Sequence, residues 1–184
     1  MKRNSDYILS EWLVLNAQSG NAAALNQLLK MWYPKFLRYS TGQLHDRDAA
    51  KDVVQDTLIA VARKIKNVND PVAFPKWAYQ ILHRRGVDHQ RAEIRRRGRE
   101  AKDEYSTSVS PDDMNPMSDV DTEQAVRHAL TGLDGHCYAV VHLYYLHGFS
   151  LREISTICCV PVGTIKSRLH TARGKLRKLL EEKL

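Results

Sequence analysis

The side chains most able to do chemistry lie between Ser150 and Leu180, in SLREISTICCVPVGTIKSRLHTARGKLRKLL. Lys166, Arg168, Arg173, Lys175, Arg177 and Lys178 supply cations, and Ser167, His170 and Thr171 supply hydrogen-bonding groups between them. Cations hold phosphate whatever the sequence, and short polar side chains on a helix reach base edges. A second basic run, Lys76, Arg84, Arg85, His89, Arg91, Arg95, Arg96, Arg97 and Arg99, follows the rings of Phe74, Trp77 and Tyr79. Rings interleaved with cations suit unstacked bases as well as backbone phosphates. For Trp77 itself, core packing is the plainer reading.

Bond-making chemistry finds no such grouping. The carboxylates are scattered, and Ser and Tyr lack placed partners, so no catalytic residue and no cofactor are assigned. Asp52 and Asp56, one helical turn apart, form the nearest thing to a metal site, but no His or third carboxylate completes it. Cys137, Cys158 and Cys159 have neither zinc spacing nor a disulfide framework; the adjacent pair reads as small apolar residues, with redox sensing as the alternative.

Helices must carry these groups. Ser150 and Glu153 form a capping box opening one helix, and Cys158, Cys159, Val160 and Pro161 make a turn into another. In that second helix Ile165, Leu169, Ala172, Leu176 and Leu179 recur at steps of four and three, an inward stripe with the basic residues outside. The pair predicts a helix-turn-helix whose second helix enters a DNA major groove; the bland alternative is a helical hairpin with a solvated basic face. Upstream, helices are expected over 7–17 with Ile8, Trp12 and Leu15 on one side, and over 22–39 with Leu25, Leu28, Leu29, Trp32, Phe36 and Leu37 inward. Pro34 should kink or split the second. A third, over 45–66, turns Ala50, Val53 or Val54, Leu58, Val61 and Ile65 inward and Asp48, Asp52, Gln55 and Asp56 outward, toward solvent or a basic partner. A fourth starts near Pro75 and runs to about Gly98, with Trp77, Ala78, Ile81, Leu82 and Val87 inward. Two more precede the helix-turn-helix. Asp121 or Thr122 caps the first, which ends at Gly132 and turns Val126, Ala129 and Leu130 inward. The second spans about 135–147, with Val140, Val141, Leu143, Tyr144 and Leu146 inward. No strand pattern appears, so the fold class is all-α.

Charge divides the chain into three. Residues 1–102 carry 19 basic against 10 acidic residues, residues 103–121 none against 6, and residues 122–184 9 against 5. The middle stretch, DEYSTSVSPDDMNPMSDVD, reads as a flexible acidic linker between two small helical domains. Two basic modules on an acidic strap point to a polyanion as partner. No run of about 18 apolar residues spans a bilayer, and the N-terminus lacks a signal-peptide pattern; a cytoplasmic protein without membrane insertion is expected.

These residues resemble an RNA polymerase sigma factor of the extracytoplasmic-function (ECF) type, in the sigma-70 family. DAAKDVVQDTLIAVARKI is similar to the family's region 2.2, and FPKWAYQILHRRGVDHQRAEIRRR to regions 2.3 and 2.4. Residues 133–173, with VPVGTIKSRLHTAR, resemble region 4. The resemblance implies that Asp52, Gln55 and Asp56 dock on core RNA polymerase. It implies that Asn67, Asn69, Phe74, Lys76, Trp77, Arg84, Arg85 and Arg91 capture the opened −10 element of promoter DNA. In region 4 it implies that Lys166, Ser167, His170 and Thr171 read the −35 element while Arg168 and Arg173 grip phosphate. An anti-sigma factor is implied as a further partner. The sequence departs from the family at Pro75, Arg84, Arg85 and Gln90, and in the DGHC after Leu133. Two other classes make different predictions. A stand-alone helix-turn-helix regulator needs no polymerase and leaves the acidic face without a task; an enzyme on nucleic acid needs a catalytic constellation.

Overall fold

The computed structural model describes residues 5–100 and 129–181, and every regular element among them is helical. Four helices form the first half: α1 (Ser5–Gln18), α2 (Ala22–Leu44), α3 (Arg47–Lys64) and α4 (Phe74–Glu100). Their starts follow local chemistry. Asn21 caps α2 by accepting from the Ala24 N–H, and Asp46 caps α3 by accepting from the N–H groups of Asp48 and Ala49. Two short 3₁₀ turns, Ile65–Asn67 and Pro71–Ala73, join α3 to α4, the second capped by Asp70.

The second half contains helical residues at 129–131, then α5 (Gly135–Val141), α6 (Leu151–Cys158) and α7 (Val162–Glu181). Beyond Val141 the helix widens into a π-turn, His142–Leu146. The capping box at Ser150 is complete: the Glu153 N–H donates to Ser150 Oγ, and the Ser150 N–H donates to the Glu153 carboxylate at 2.8 Å. Cys159 takes a left-handed φ of 53° to turn the chain from α6 into α7.

Four expectations need correction. The Ile8, Trp12 and Leu15 side of α1 faces solvent, at 55, 57 and 53% exposure, while Ser10, Leu13, Val14 and Ala17 face the core. Ser10 fits there because its hydroxyl donates to Asp6 O and accepts from Trp32 Nε1. Second, α2 runs through Pro34 without a break and continues to Leu44, adding buried Tyr39, Ser40 and Gln43. Packing on α1, α3 and α4 outweighs the one backbone hydrogen bond a proline removes. Third, Leu146 is 56% exposed, because the π-turn rotates it away from the side of Val140 and Val141. Fourth, Arg168 is half-buried rather than on the outward face of α7. The acidic stretch 103–121, the cap at Asp121 or Thr122, and Val126 lie outside the described residues.

The core is shared between the halves. Leu28, Trp32, Phe36, Val54, Tyr79 and Leu82 belong to the same buried cluster as Tyr138, Val140, Leu143, Ile154, Ile157 and Ile165. α2 packs against α5, and α4 against α6.

Candidate nucleic-acid interface

The helix-turn-helix presents α7 on a rigid footing. Ile165, Leu169 and Ala172 are buried, and Leu176 and Leu179 partly so, which pins the inward stripe. Lys166, Ser167, His170, Thr171 and Arg173 are all exposed. Lys166, His170 and Arg173, at steps of four and three, line a hollow of about 250 Å³ with Tyr144 and Leu151. Ser167 and Thr171 form the neighbouring row, with Ser167 Oγ donating to Thr164 O at 3.0 Å. The five therefore make one polar, cationic face wide enough for a groove. Arg168 points to the other side, near His83 and His136, and its charge helps burial keep both imidazoles neutral.

A residue the sequence reading missed braces this face. Arg173 Nε donates to Tyr145 Oη at 2.7 Å, and its guanidinium lies 5.7 Å from the Tyr145 ring and 5.9 Å from the Tyr144 ring. A cation over rings and a fixed hydrogen bond restrict a side chain that is otherwise costly to order. The only sequence signal was the Tyr144–Tyr145 pair itself, since the contact spans 28 positions.

The second basic surface runs along α4. Trp77, Arg84 and Arg91 recur at intervals of seven, one stripe along the helix. Arg84 and Arg91 are exposed, and Lys76 and Trp77 are half-buried at its start. Asn67 and Asn69 are exposed in the connection that leads into it. Phe74 departs from its expected role. It is fully buried, 5.7 Å from Trp32 and 6.1 Å from Trp77 between ring centroids, and offers no face to a base. Tyr79 is equally buried. Farther along, Glu93 holds Arg96 and Arg97, whose hydrogen bonds pull its carboxyl down to about 2.

On α3, Asp52, Gln55 and Asp56 are exposed. Gln55 and Lys51 border a groove of about 490 Å³ lined by Leu29, Tyr33, Leu58 and Ile59. Tyr33 and Ile59 stay 40 and 42% exposed, so an apolar strip lies beside two carboxylates. That strip fits the apolar ridge of a partner helix. Asp56 also accepts from Arg85 at 3.3 Å, which places Arg85 toward α3 rather than in the α4 stripe. No group of three metal-ligating side chains occurs among the described residues. The buried thiols of Cys137 and Cys158 are pushed up to about 11 and about 12 by desolvation, unsuited to redox chemistry as thiolates. No helix among the described residues is long and apolar enough to cross a membrane.

The family profile described as "ECF sigma factor" matches residues 9–182. The chain belongs to the ECF sigma factor family. It is 26% identical over 182 residues to the RNA polymerase sigma-H factor of Pseudomonas aeruginosa, covering 92% of both chains. It is 29% identical over 171 residues to the ECF RNA polymerase sigma factor SigL of Mycobacterium tuberculosis, covering 89% of this chain and 95% of SigL. Among solved structures, the sigma factor RpoE of Bartonella quintana, solved with the anti-sigma factor NepR, is similar with a TM-score of 0.58 and 27% identity. That match covers 85% of this chain and 96% of RpoE. CnrH, solved with the cytosolic domain of CnrY, shares the fold with a TM-score of 0.61 at 23% identity, covering 96% of this chain and 99% of CnrH. As an ECF sigma factor the chain is a transcription initiation factor.

Proposed function

We propose that this sigma factor joins core RNA polymerase through the α3 surface and directs it to promoters through two separate DNA-reading faces. Lys166, Ser167, His170 and Thr171 read the −35 element in the major groove, while Arg173 grips phosphate from its brace on Tyr145. Asn67, Asn69, Lys76, Trp77, Arg84 and Arg91 receive the opened −10 strand. Phe74 supports Trp77 from beneath instead of stacking on a base itself. Asp52, Gln55 and Asp56, with the apolar groove beside them, form the docking surface, and Arg85 orders Asp56 there. The chain works in the cytoplasm, and an anti-sigma protein that covers these faces is its natural inhibitor, as NepR is found with RpoE.

One observation carries this reading above the others: an exposed recognition face, a basic ring-bearing helix and an α3 surface with an apolar groove and exposed carboxylates coexist on one chain. A stand-alone regulator needs the first alone. Free energies agree with a recognition role. Each good base contact discriminates by about 1–3 kcal/mol, and trapping an unpaired base offsets an unstacking cost of a few kcal/mol. Two modest modules on one polymerase gain from effective concentration.

The test is a gel shift on promoter DNA with and without core polymerase, alongside a core pull-down. The expected result is a specific complex only with core, and loss of core association in the double variant Asp52→Lys, Asp56→Lys with helicity intact. Tight promoter binding without core, or unchanged core affinity in the charge-reversed variant, contradicts the reading.

A further inference from the structure

α1 has two apolar sides, and the fold buries one of them. Leu13, Val14 and Ala17 go to the core, while Ile8, Trp12 and Leu15 each stay more than half exposed. These three stand at i, i+4 and i+7, which stacks them into one ridge along the outside of the helix. Single exposed apolar residues are ordinary on a protein surface. A ridge of three in register, with Trp at its centre, is the pattern of a helix that seats in a groove. None of the promoter or core contacts proposed above uses it.

The same half of the chain has a groove of matching character. It lies between α2 and α3, holds about 490 Å³, and is lined by Leu29, Tyr33, Leu58 and Ile59, with Lys51 and Gln55 bordering it. The chain does not fill this groove with its own ridge, because α1 packs on α2 with the ridge turned to solvent. An occupant therefore comes from another molecule.

Charge selects among the occupants. α1 carries Asp6 and Glu11 and neither Lys nor Arg. Glu11, three residues after Ile8 and four before Leu15, flanks the ridge. Lys51 is the one charged side chain among the described residues lining the groove. Its ion pair with Asp48, at 2.7 Å, is exposed on both sides, and such pairs are weak enough for the ammonium to turn to a second carboxylate. A groove bordered by lysine suits an acidic helix better than a basic one. A membrane surface suits the ridge poorly, since a helix lying on lipid headgroups carries Lys and Arg on its polar face.

We propose that the α1 ridge of one copy seats in the α2–α3 groove of a second copy, with Trp12 in the hollow and Glu11 toward Lys51. The contact is heterologous: each copy offers a ridge to one neighbour and a groove to another, unless a two-fold axis satisfies both within a pair. Three half-exposed side chains bury well under the roughly 800 Å² per partner of a stable complex, so pairing is reversible and follows concentration. Its consequence rests on the α3 docking surface proposed above: a copy whose groove is covered cannot join core polymerase, and core draws the chain out of its pairs.

Sedimentation velocity of the full-length chain over a concentration series reads the pairing. The parent should move from the 21.1 kDa of one chain toward twice that mass or more as concentration rises. Trp12→Ala empties the ridge and Ile59→Glu charges the groove; both alter exposed side chains, so far-ultraviolet helicity is expected to hold. Each variant alone should stay monomeric where the parent is half paired. Mixed in equal amounts they should pair, because the ridge left on Ile59→Glu fits the groove left on Trp12→Ala. Should Ile59→Glu lose helicity, Tyr33→Gln takes its place. A parent monomeric up to about 0.1 mM, variants that pair as the parent does, or a mixture that stays monomeric each overturns the proposal. Core polymerase then tests the consequence. Where half the grooves are covered, Trp12→Ala should join core with about twofold higher apparent affinity than the parent. If the parent pairs and the mixture complements, yet core leaves the pairs intact, the pairing stands and the α3 docking reading falls.

Discussion

Arg173 and Lys166 stand on the same face of α7 but serve different tasks, and substitutions should separate them. Lys166→Ala is expected to change preference at one −35 position by about 1–3 kcal/mol and leave other positions as they were. Tyr145→Phe removes only the hydroxyl that holds Arg173 Nε. It should weaken binding to every −35 sequence alike, by about 0.5–1.5 kcal/mol, with Arg173→Ala costing more. Competition binding of the holoenzyme on a panel of −35 duplexes measures both; an equal loss across the panel for Lys166→Ala contradicts its role. These roles differed in how far the sequence revealed them. Lys166, Ser167, His170 and Thr171 were legible because four-and-three spacing fixes a face of a single helix. Tyr145 was not, because its contact with Arg173 is tertiary. Phe74 looked like a base-stacking ring beside Trp77, and only the packing of α2 showed Trp32 covering it.

At the scale of elements, caps and stripes did the predicting. The Ser150–Glu153 box and the α7 stripe were read from types and spacing, and Ser150→Ala should lower stability by about 1 kcal/mol in a urea melt. An unchanged midpoint would mean that the capping box adds nothing at this terminus. α1 shows the opposite case. Its larger apolar residues, Ile8, Trp12 and Leu15, suggested a buried side, yet the core takes Leu13, Val14 and Ala17. Residue size alone does not choose a face when two are apolar; the neighbours do, and here Trp32 reaches Ser10. Pro34 was likewise a strong local signal that tertiary packing overrode.

For the whole molecule, linear charge divides the chain into two basic units and an acidic stretch, and in the structure the two units pack against each other, α2 on α5 and α4 on α6. Nothing in composition marks two amphipathic units as partners of each other; where the halves meet along one seam, Gly42 lies under the Tyr138 ring and Gly135 on the Gln43 carbonyl, and both gain meaning only from what lies opposite. Three imidazoles at that seam give a measurable consequence. Burial lowers His83 and His147 to about 4 and His142 well below its ordinary value. His147 faces Tyr7, Tyr79, His142, Lys35 and Arg38, and His83 faces Tyr39, Gln43, His136 and Arg168; none is a carboxylate that would favour the charged ring. The packed state therefore binds fewer protons than the unfolded one between about pH 6.5 and 4, and stability is full above 6.5 and falls as pH drops through that window. For His83 alone the loss is up to about 3 kcal/mol. Urea melts from pH 7.5 to 4 should show it, and a midpoint flat across that range would contradict neutral, buried imidazoles.

The claim that two faces of one chain choose a start site for a larger machine is tested most directly by runoff transcription. Core polymerase is supplied with this factor on a library of randomised promoters, and the RNA start points are mapped. Starts should gather downstream of one shared pair of −35 and −10 sequences, and the −35 preference should move at one position with Lys166→Ala. Start points identical with and without the factor would contradict it.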